Sequence, residues 1–213
     1  MIIFIVIALL SVNVCYSKIC LIANGGLNLS SLYPYNIDQP VGALPIAEKR
    51  VGYNLCAKLA LDVNNIMSLE TGVSYETRGI VFGQWSYKGK VPLEKTGELS
   101  YNLHYIALPI NSKIFILKLT RGPFVCFGLL FGYLVVSDIS PGNYNIYEYT
   151  NGVNVDAILN VGYQVSLIKK TVLLFVEYDY GLTDVYKKDA PIYKGRVRNR
   201  NIKINVGWQI MSF

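Results

Sequence analysis

The chain has 213 residues, with 20 basic and 14 acidic side chains and a formal net charge of +6 at pH 7. Hydrophobic residues make up 52% and charged residues 16% of the chain. An average globular domain has about 25% charged residues, and so apolar a chain is not intrinsically disordered. The mean hydropathy is +0.33. The one long apolar run lies at the N-terminus, which argues against a bundle of membrane-spanning helices.

The first 17 residues are predicted to be a cleaved signal peptide. Residues 1–10 read MIIFIVIALL, an uncharged apolar segment of the length found in secretory signals and short for a membrane anchor. Cleavage before Lys18 leaves one predicted domain, residues 18–213, with three cysteines: Cys20, Cys56 and Cys126. An odd number of cysteines in an exported chain argues against a disulfide framework, so we expect them to be small apolar residues in strands.

Eight segments of this domain alternate between apolar and polar residues. In residues 198–211, for example, Ile202, Ile204, Val206 and Trp208 alternate with polar or small residues. Successive side chains of a strand point to opposite faces, so each segment has one apolar and one polar face. The alternation is least regular in residues 102–116, where a parity shift is expected near His104 to Ala107 and Pro109 suggests a bulge. The predicted strands are residues 18–28, 51–61, 67–76, 102–116, 123–136, 153–165, 171–182 and 198–211.

Short and long connections alternate along the predicted strands. The short ones are residues 62–66, 119–122 and 166–170, and the long ones are residues 29–49, 77–100, 137–152 and 183–197. Strict alternation places all short turns at one end of the sheet and all long loops at the other, as in bacterial outer-membrane barrels. The sequence therefore predicts an all-β fold, an eight-stranded antiparallel up-and-down transmembrane β-barrel in a Gram-negative outer membrane.

A soluble, lipocalin-like carrier of an apolar ligand is the main alternative, because its strands alternate too, with the apolar face inward. Three features favour the membrane barrel. The strands are long enough to span a bilayer at a tilt, and the polar face carries charges of both signs. Aromatic residues also lie near the ends of the apolar face, as in interfacial girdles. They are Tyr75, Tyr133, Tyr163, Tyr180 and Trp208.

The sequence resembles small outer-membrane β-barrel proteins of the PorT-like and OmpA-like type. The resemblance covers nearly the whole predicted domain and is carried by LETGVSYETRG (69–79), YNLHYIALPINSKI (101–114), FGLLFGYL (127–134), EYDYGLTDVY (177–186) and RNRNIKINVGWQI (198–210). The C-terminal Phe213 is similar to the aromatic residue that ends many such barrels. The resemblance implies a cell-envelope location and this fold, and it implies little about activity.

The polar faces predict a network of charges in the barrel lumen, with Lys113 or His104 as further candidates. An eight-stranded barrel is filled by its own side chains, so these ions are expected to pair with each other. A narrow ion or solute channel is the alternative. No cofactor or metal site is predicted, and no enzyme, because the single histidine has no recognisable catalytic partner. The predicted lumen network is Lys58, Glu70, Glu76, Asp156, Glu177, Asp179 and Lys203.

Basic residues at the start of the last strand suggest a lipid contact. By parity, Arg198 and Arg200 point toward lipid at the outer rim, where arginine can bind lipopolysaccharide phosphates. Ordinary solvated loop charges are the alternative. The spread of the basic residues argues against nucleic-acid binding. We therefore expect a non-enzymatic protein with a structural, loop-mediated binding or envelope and secretion assembly role, and with outer-membrane lipid or other envelope proteins as partners.

Overall fold

The computed structural model describes residues 18–33, 46–88, 91–116, 122–140, 144–145, 147–167, 170–187 and 197–213. The predicted signal peptide, residues 1–17, lies outside this range. A short 3₁₀ helix covers Tyr147–Tyr149. The strands are β1 (Lys18–Tyr33), β2 (Ile46–Asp62), β3 (Met67–Lys88), β4 (Val91–Phe115), β5 (Gly122–Ser140), β6 (Tyr144–Asn145), β7 (Val153–Leu167), β8 (Lys170–Gly181) and β9 (Arg198–Ser212).

Eight of these strands close into a barrel. Each pairs antiparallel with the next, and β1 pairs with β9 as well as with β2, so the ring has no free edge. The two-residue β6 pairs with the outer end of β5. No helix in the described part of the chain is long and apolar enough to cross a membrane. The predicted eight-stranded antiparallel barrel is confirmed.

The apolar faces of the strands point outward. Leu27 and Val51 are 63% and 64% exposed, while Asn28 and Lys203 on the opposite parity are fully buried. A barrel in a bilayer needs this arrangement, because lipid cannot hydrogen-bond to polar groups. The alternative of a soluble carrier with an apolar interior was therefore wrong.

The prediction of a long loop at residues 77–100 was also wrong, because β3 and β4 continue through this range as a hairpin. The pairing of β3 with β4 extends to Lys88 and Val91. Beyond residue 79 the buried side chains become apolar, as at Ile80 and Phe82, so the polar–apolar alternation that identifies a membrane strand is lost. Two register shifts in the hairpin blur the pattern further. Strands β1, β2 and β5 are likewise longer at this end than predicted.

The irregularity expected in residues 102–116 is a register shift beside His104, at the start of the stretch where a parity shift was expected, and not a bulge at Pro109. The parity of β4 itself does not change, because its odd-numbered residues stay buried from Tyr101 to Phe115. The β3–β4 register is the same on both sides of Pro109, while the β4–β5 register shifts between His104 and Tyr105. The extra residue belongs to β5, where the consecutive Val135 and Val136 are both exposed. Such a bulge lets β5 change which side chains face inward as it leaves the membrane.

Candidate functional site

Arg78 lies at the centre of a buried group of charges in the lumen. Its Nη2 is 2.6 Å from Glu76 Oε2 and 3.2 Å from Asp179 Oδ2, and its Nη1 is 2.5 Å from Asp156 Oδ2. Its guanidinium carbon also lies 5.4 Å from the centre of the Tyr105 ring. Because one guanidinium serves three carboxylates from β3, β7 and β8, it joins opposite walls of the barrel.

Lys203 completes this group from β9. Its Nζ is 2.8 Å from each of three carboxylate oxygens, on Glu76, Glu177 and Asp179. Lys203 and Arg78 therefore share Glu76 and Asp179. We call the six residues the outer ionic layer: Glu76, Arg78, Asp156, Glu177, Asp179 and Lys203.

A second group of charges lies closer to the short turns. Glu70 forms ion pairs with two lysines, with Lys58 Nζ at 3.6 Å from Oε2 and Lys113 Nζ at 3.3 Å from Oε1. Lys113 Nζ donates to Gln164 Oε1 at 2.9 Å and lies 4.5 Å from the centre of the Phe124 ring. Cation–π contacts with aromatic rings thus stabilise the ammonium groups in this second group, which has one carboxylate for two lysines. We call Lys58, Glu70 and Lys113 the inner ionic layer.

All seven residues predicted to form the lumen network are buried inside the barrel, and Lys113 joins them. Arg78 was not predicted as a lumen residue, because residue 78 fell in the predicted loop 77–100. Its parity was the available signal, since Arg78 continues the even-numbered series of Glu70 and Glu76. His104 does not reach the lumen, and its Nδ1 lies 2.6 Å from the hydroxyl of Tyr75 on the outward-facing parity.

The space around the two ionic layers is small. Three interior cavities lined by described residues have volumes of about 10, 10 and 30 Å³. A cavity needs roughly 10–15 Å³ to hold one water molecule. The two smaller cavities therefore have room for one water molecule at most, and the third has room for about two or three.

An apolar cluster closes the barrel above the outer ionic layer. We call it the outer cap. Seven of its side chains come from β1, β3, β4 and β5. The other three come from the two described ends of the β8–β9 connection. The cap comprises Leu32, Ile80, Phe82, Tyr101, Leu103, Tyr105, Leu134, Val185, Tyr186 and Val197.

Hydrogen bonds fasten the chain after β8 to the chain before β7. Asn151 donates from Nδ2 to the carbonyl oxygens of Asp184 and Tyr186, at 2.7 and 3.0 Å. Its backbone N–H donates to the carbonyl of Val185 at 2.7 Å. The described ends of the two predicted long loops 137–152 and 183–197 are thus joined beside each other at the mouth of the barrel. This contact positions Val185 and Tyr186 of the outer cap.

Arg198 and Arg200 lie on the outward parity of β9, as expected. The guanidinium of Arg200 stacks over the ring of Tyr180 at 5.3 Å, and Arg198 Nε lies 3.6 Å from Asp184 Oδ1. Arg198 is therefore ion-paired with the segment after β8 that contributes Val185 and Tyr186 to the outer cap. Arg200 lies against the outer surface of the barrel.

In the part of the chain that the structure describes, no three His, Cys, Asp or Glu side chains are grouped so that they could hold a metal ion. Cys20, Cys56 and Cys126 are free thiols and are buried. They pack as small side chains inside the barrel, as the sequence suggested.

Comparison with known proteins agrees with this geometry. A family model described as outer membrane protein beta-barrel domain matches residues 21–187, more than three quarters of the chain. No curated protein matches. The structure of OprG from Pseudomonas aeruginosa is similar, with 10% identity and a TM-score of 0.50, over 92% of this chain and 96% of OprG.

Two further structures align over 92% of this chain and 99% of their own. They are Neisserial surface protein A, with 9% identity and a TM-score of 0.49, and Ail of Yersinia pestis in complex with the heparin analogue sucrose octasulfate, with 12% identity and a TM-score of 0.44. At such identities the likeness to OprG concerns the fold alone. The extent of the family match decides the assignment: this chain belongs to the outer-membrane β-barrel domain family and is located in the outer membrane.

Proposed function

We propose that this protein is a closed, non-enzymatic barrel that acts through its outer rim, in a structural, loop-mediated binding or envelope-assembly role. One observation carries the proposal. The lumen is filled at two levels along the barrel axis. The outer ionic layer joins opposite walls, and the outer cap fills the space between this layer and the outer mouth. The rim remains as the part of the molecule available to partners.

Energetics favour the closed state over a narrow channel. Opening the outer ionic layer would leave buried charges without partners, which costs about 3–5 kcal/mol for each broken pair. A conducting path would also have to displace the apolar side chains of the outer cap, such as Leu103 and Val185, both almost fully buried.

The position of the single histidine supports a non-enzymatic role. His104 hydrogen-bonds to Tyr75 on the outward-facing parity, while the carboxylates of the ionic layers lie inside the barrel. An acid–base pair between His104 and these carboxylates would have to act through the barrel wall.

Planar-bilayer recording tests the closed lumen. We expect the refolded wild-type protein to give no steady single-channel steps. A Tyr186→Ala variant, which thins the outer cap and leaves both ionic layers in place, should remain silent as well. Reproducible unitary steps from the wild-type protein would overturn the proposal and establish the narrow channel.

The rim also supports a lipid contact at Arg198 and Arg200. Both lie on the outward parity at the outer end of β9, and stacking on Tyr180 holds the Arg200 guanidinium against the barrel surface. Planar guanidinium groups bind phosphate bidentately, so lipopolysaccharide is the ligand we propose for them. Binding of purified lipopolysaccharide to rim variants measures this contact. Stoichiometric capture of an envelope protein would instead favour the assembly role.

A further inference from the structure

Two facing side chains near the outer end of the β8–β9 ladder each leave one oxygen atom without a hydrogen-bond donor. Asp179 and Asn201 are partners in this register, one position before the pair of Tyr180 with Arg200. Asn201 Nδ2 donates to Asp179 Oδ2 at 3.2 Å. The other oxygens of the two side chains, Asp179 Oδ1 and Asn201 Oδ1, are buried and have no partner among the described residues.

One proton would satisfy both of these oxygen atoms. Asp179 and Asn201 are 0% and 1% exposed, and buried polar atoms in folded proteins are nearly always hydrogen-bonded. A protonated Asp179 Oδ1 donates to Asn201 Oδ1, while Oδ2 continues to accept from Asn201 Nδ2. A carboxylic acid and a primary amide have the donors and acceptors for this ring of two hydrogen bonds.

The neighbouring cations do not serve the unpaired oxygen of Asp179. The three N–H groups of Lys203 are matched by three carboxyl oxygens at 2.8 Å each, which are Oε1 of Glu76, Oε1 of Glu177 and Oδ2 of Asp179. Arg78 Nη2 also contacts Asp179 at Oδ2, at 3.2 Å. Both cations therefore bind the same oxygen of Asp179, which is the one that stays an acceptor after protonation.

The charge balance of the lumen is consistent with one bound proton. The two ionic layers contain five carboxyl groups and four basic side chains. All of these groups are buried, and a buried charge that has no counter-charge is neutralised in preference to being retained. A single proton makes the two layers neutral together.

Three of the other carboxyl groups have better partners for the ionised form. Glu76 accepts from a cation on each of its two oxygens, and Glu70 lies between two lysines. Glu177 accepts from Lys203 and, unlike Asp179, has no oxygen that is both buried and unpaired within the described part of the chain. Charge-assisted hydrogen bonds of this kind stabilise a carboxylate.

Asp156 also has an unpaired oxygen, but it has no comparable acceptor for a proton. Its Oδ2 accepts from Arg78 Nη1 and from Asn154 Nδ2, the latter at 2.7 Å. The oxygen of that amide, Asn154 Oδ1, already accepts from Thr183 Oγ1 at 3.1 Å. The acid–amide ring available to Asp179 is therefore not available to Asp156 and Asn154.

We propose that Asp179 holds a proton at neutral pH and donates it to Asn201, so that the lumen binds one proton as a fixed part of the outer ionic layer. The acid–amide pair joins β8 to β9 two residues before β8 ends at Gly181, below the segment that contributes Val185 to the outer cap. The proposal is independent of the rim arginines and of their ligand. The charged groups that face Asp179 are Glu76 and Arg78 from β3, Asp156 from β7, Glu177 from β8 and Lys203 from β9.

Infrared spectroscopy of the wild-type protein in lipid vesicles at neutral pH tests the bound proton. The carbonyl stretch of a protonated carboxyl group is separate from the carboxylate and amide bands, and exposed carboxyl groups are ionised at this pH. We expect one such band, which should shift when aspartate is labelled with carbon-13 and stay in place when glutamate is labelled. A spectrum without the band, or a band that follows the glutamate label, would overturn the proposal.

Two matched variants identify the residue that carries the proton. In Asp179→Asn an amide N–H stands where the acid presents its O–H, so the band should be lost and the urea midpoint of unfolding should stay at the wild-type value. Asp156→Asn removes a carboxylate that is paired with Arg78, so its urea midpoint should fall. The reverse order of the two midpoints would place the proton on Asp156 and refute the assignment. Equal losses of stability would show that Asp179 is ionised in the wild-type protein.

Discussion

The interior of this barrel changes character along its axis. At the level of the outer ionic layer it is ionic, with Arg78 and Lys203 shared among four carboxylates. Toward the outer mouth it is apolar, with Leu103 and Leu134 fully buried. Inside the bilayer the outer wall must be apolar, so polar residues are directed to the lumen. Beyond the bilayer the outer wall meets water, and the interior can be built like that of a soluble protein.

The change takes place within a few residues of β3. Arg78 belongs to the outer ionic layer, and Ile80 and Phe82 belong to the outer cap. Gly79, between them, has a φ of +137°, which side-chain-bearing residues rarely adopt. A β-carbon at this position would also collide with the carbonyl oxygen of Tyr101. Glycine is therefore needed where one kind of interior gives way to the other.

The largest expected effect comes from the ionic interior. Arg78→Met leaves Asp156 and two further carboxylates short of their shared cation, and should destabilise the folded barrel by about 3–5 kcal/mol. Urea titration of the protein refolded in lipid vesicles, followed by heat modifiability on cold gels, measures this change.

The matched control for Arg78 is Arg200→Met. Arg200 lies on the outside over the ring of Tyr180, so its loss should cost about 1 kcal/mol or less. Equal destabilisation by the two variants would contradict the central role of Arg78 in the outer ionic layer.

Truncation in the outer cap should have a smaller effect. Leu103→Ala creates a cavity in the outer cap and should cost about 2–4 kcal/mol, as in the core of a soluble protein. Leu182→Ala is the control, because Leu182 lies just after β8 at the same end and is exposed. The same vesicle-based titration applies. If Leu103→Ala is as mild as Leu182→Ala, the outer mouth is not packed as a core.

The smallest effect on stability is expected at the rim, where the change should appear in ligand binding. Arg198→Gln and Arg200→Gln together should weaken lipopolysaccharide binding about tenfold, through the loss of roughly 1.4 kcal/mol of charge-assisted hydrogen bonding. Surface plasmon resonance on nanodisc-embedded protein measures the affinity. Lys170→Gln, at the opposite end of the barrel, should leave it unchanged, and a loss with Lys170→Gln would point to nonspecific attraction.

The amino-acid sequence alone was sufficient to predict the number of barrel strands and the outward direction of the apolar faces. It also predicted the lumen position of charges such as Lys58 and Lys203 and the placement of Arg198 and Arg200 on the outward parity. These features follow from alternation along a single strand, which is local and visible in the chain. The role of Arg78 and the apolar outer cap became visible only with the three-dimensional fold. Each depends on the register between strands far apart in sequence, which sets the neighbours of a side chain and leaves no trace in the alternation.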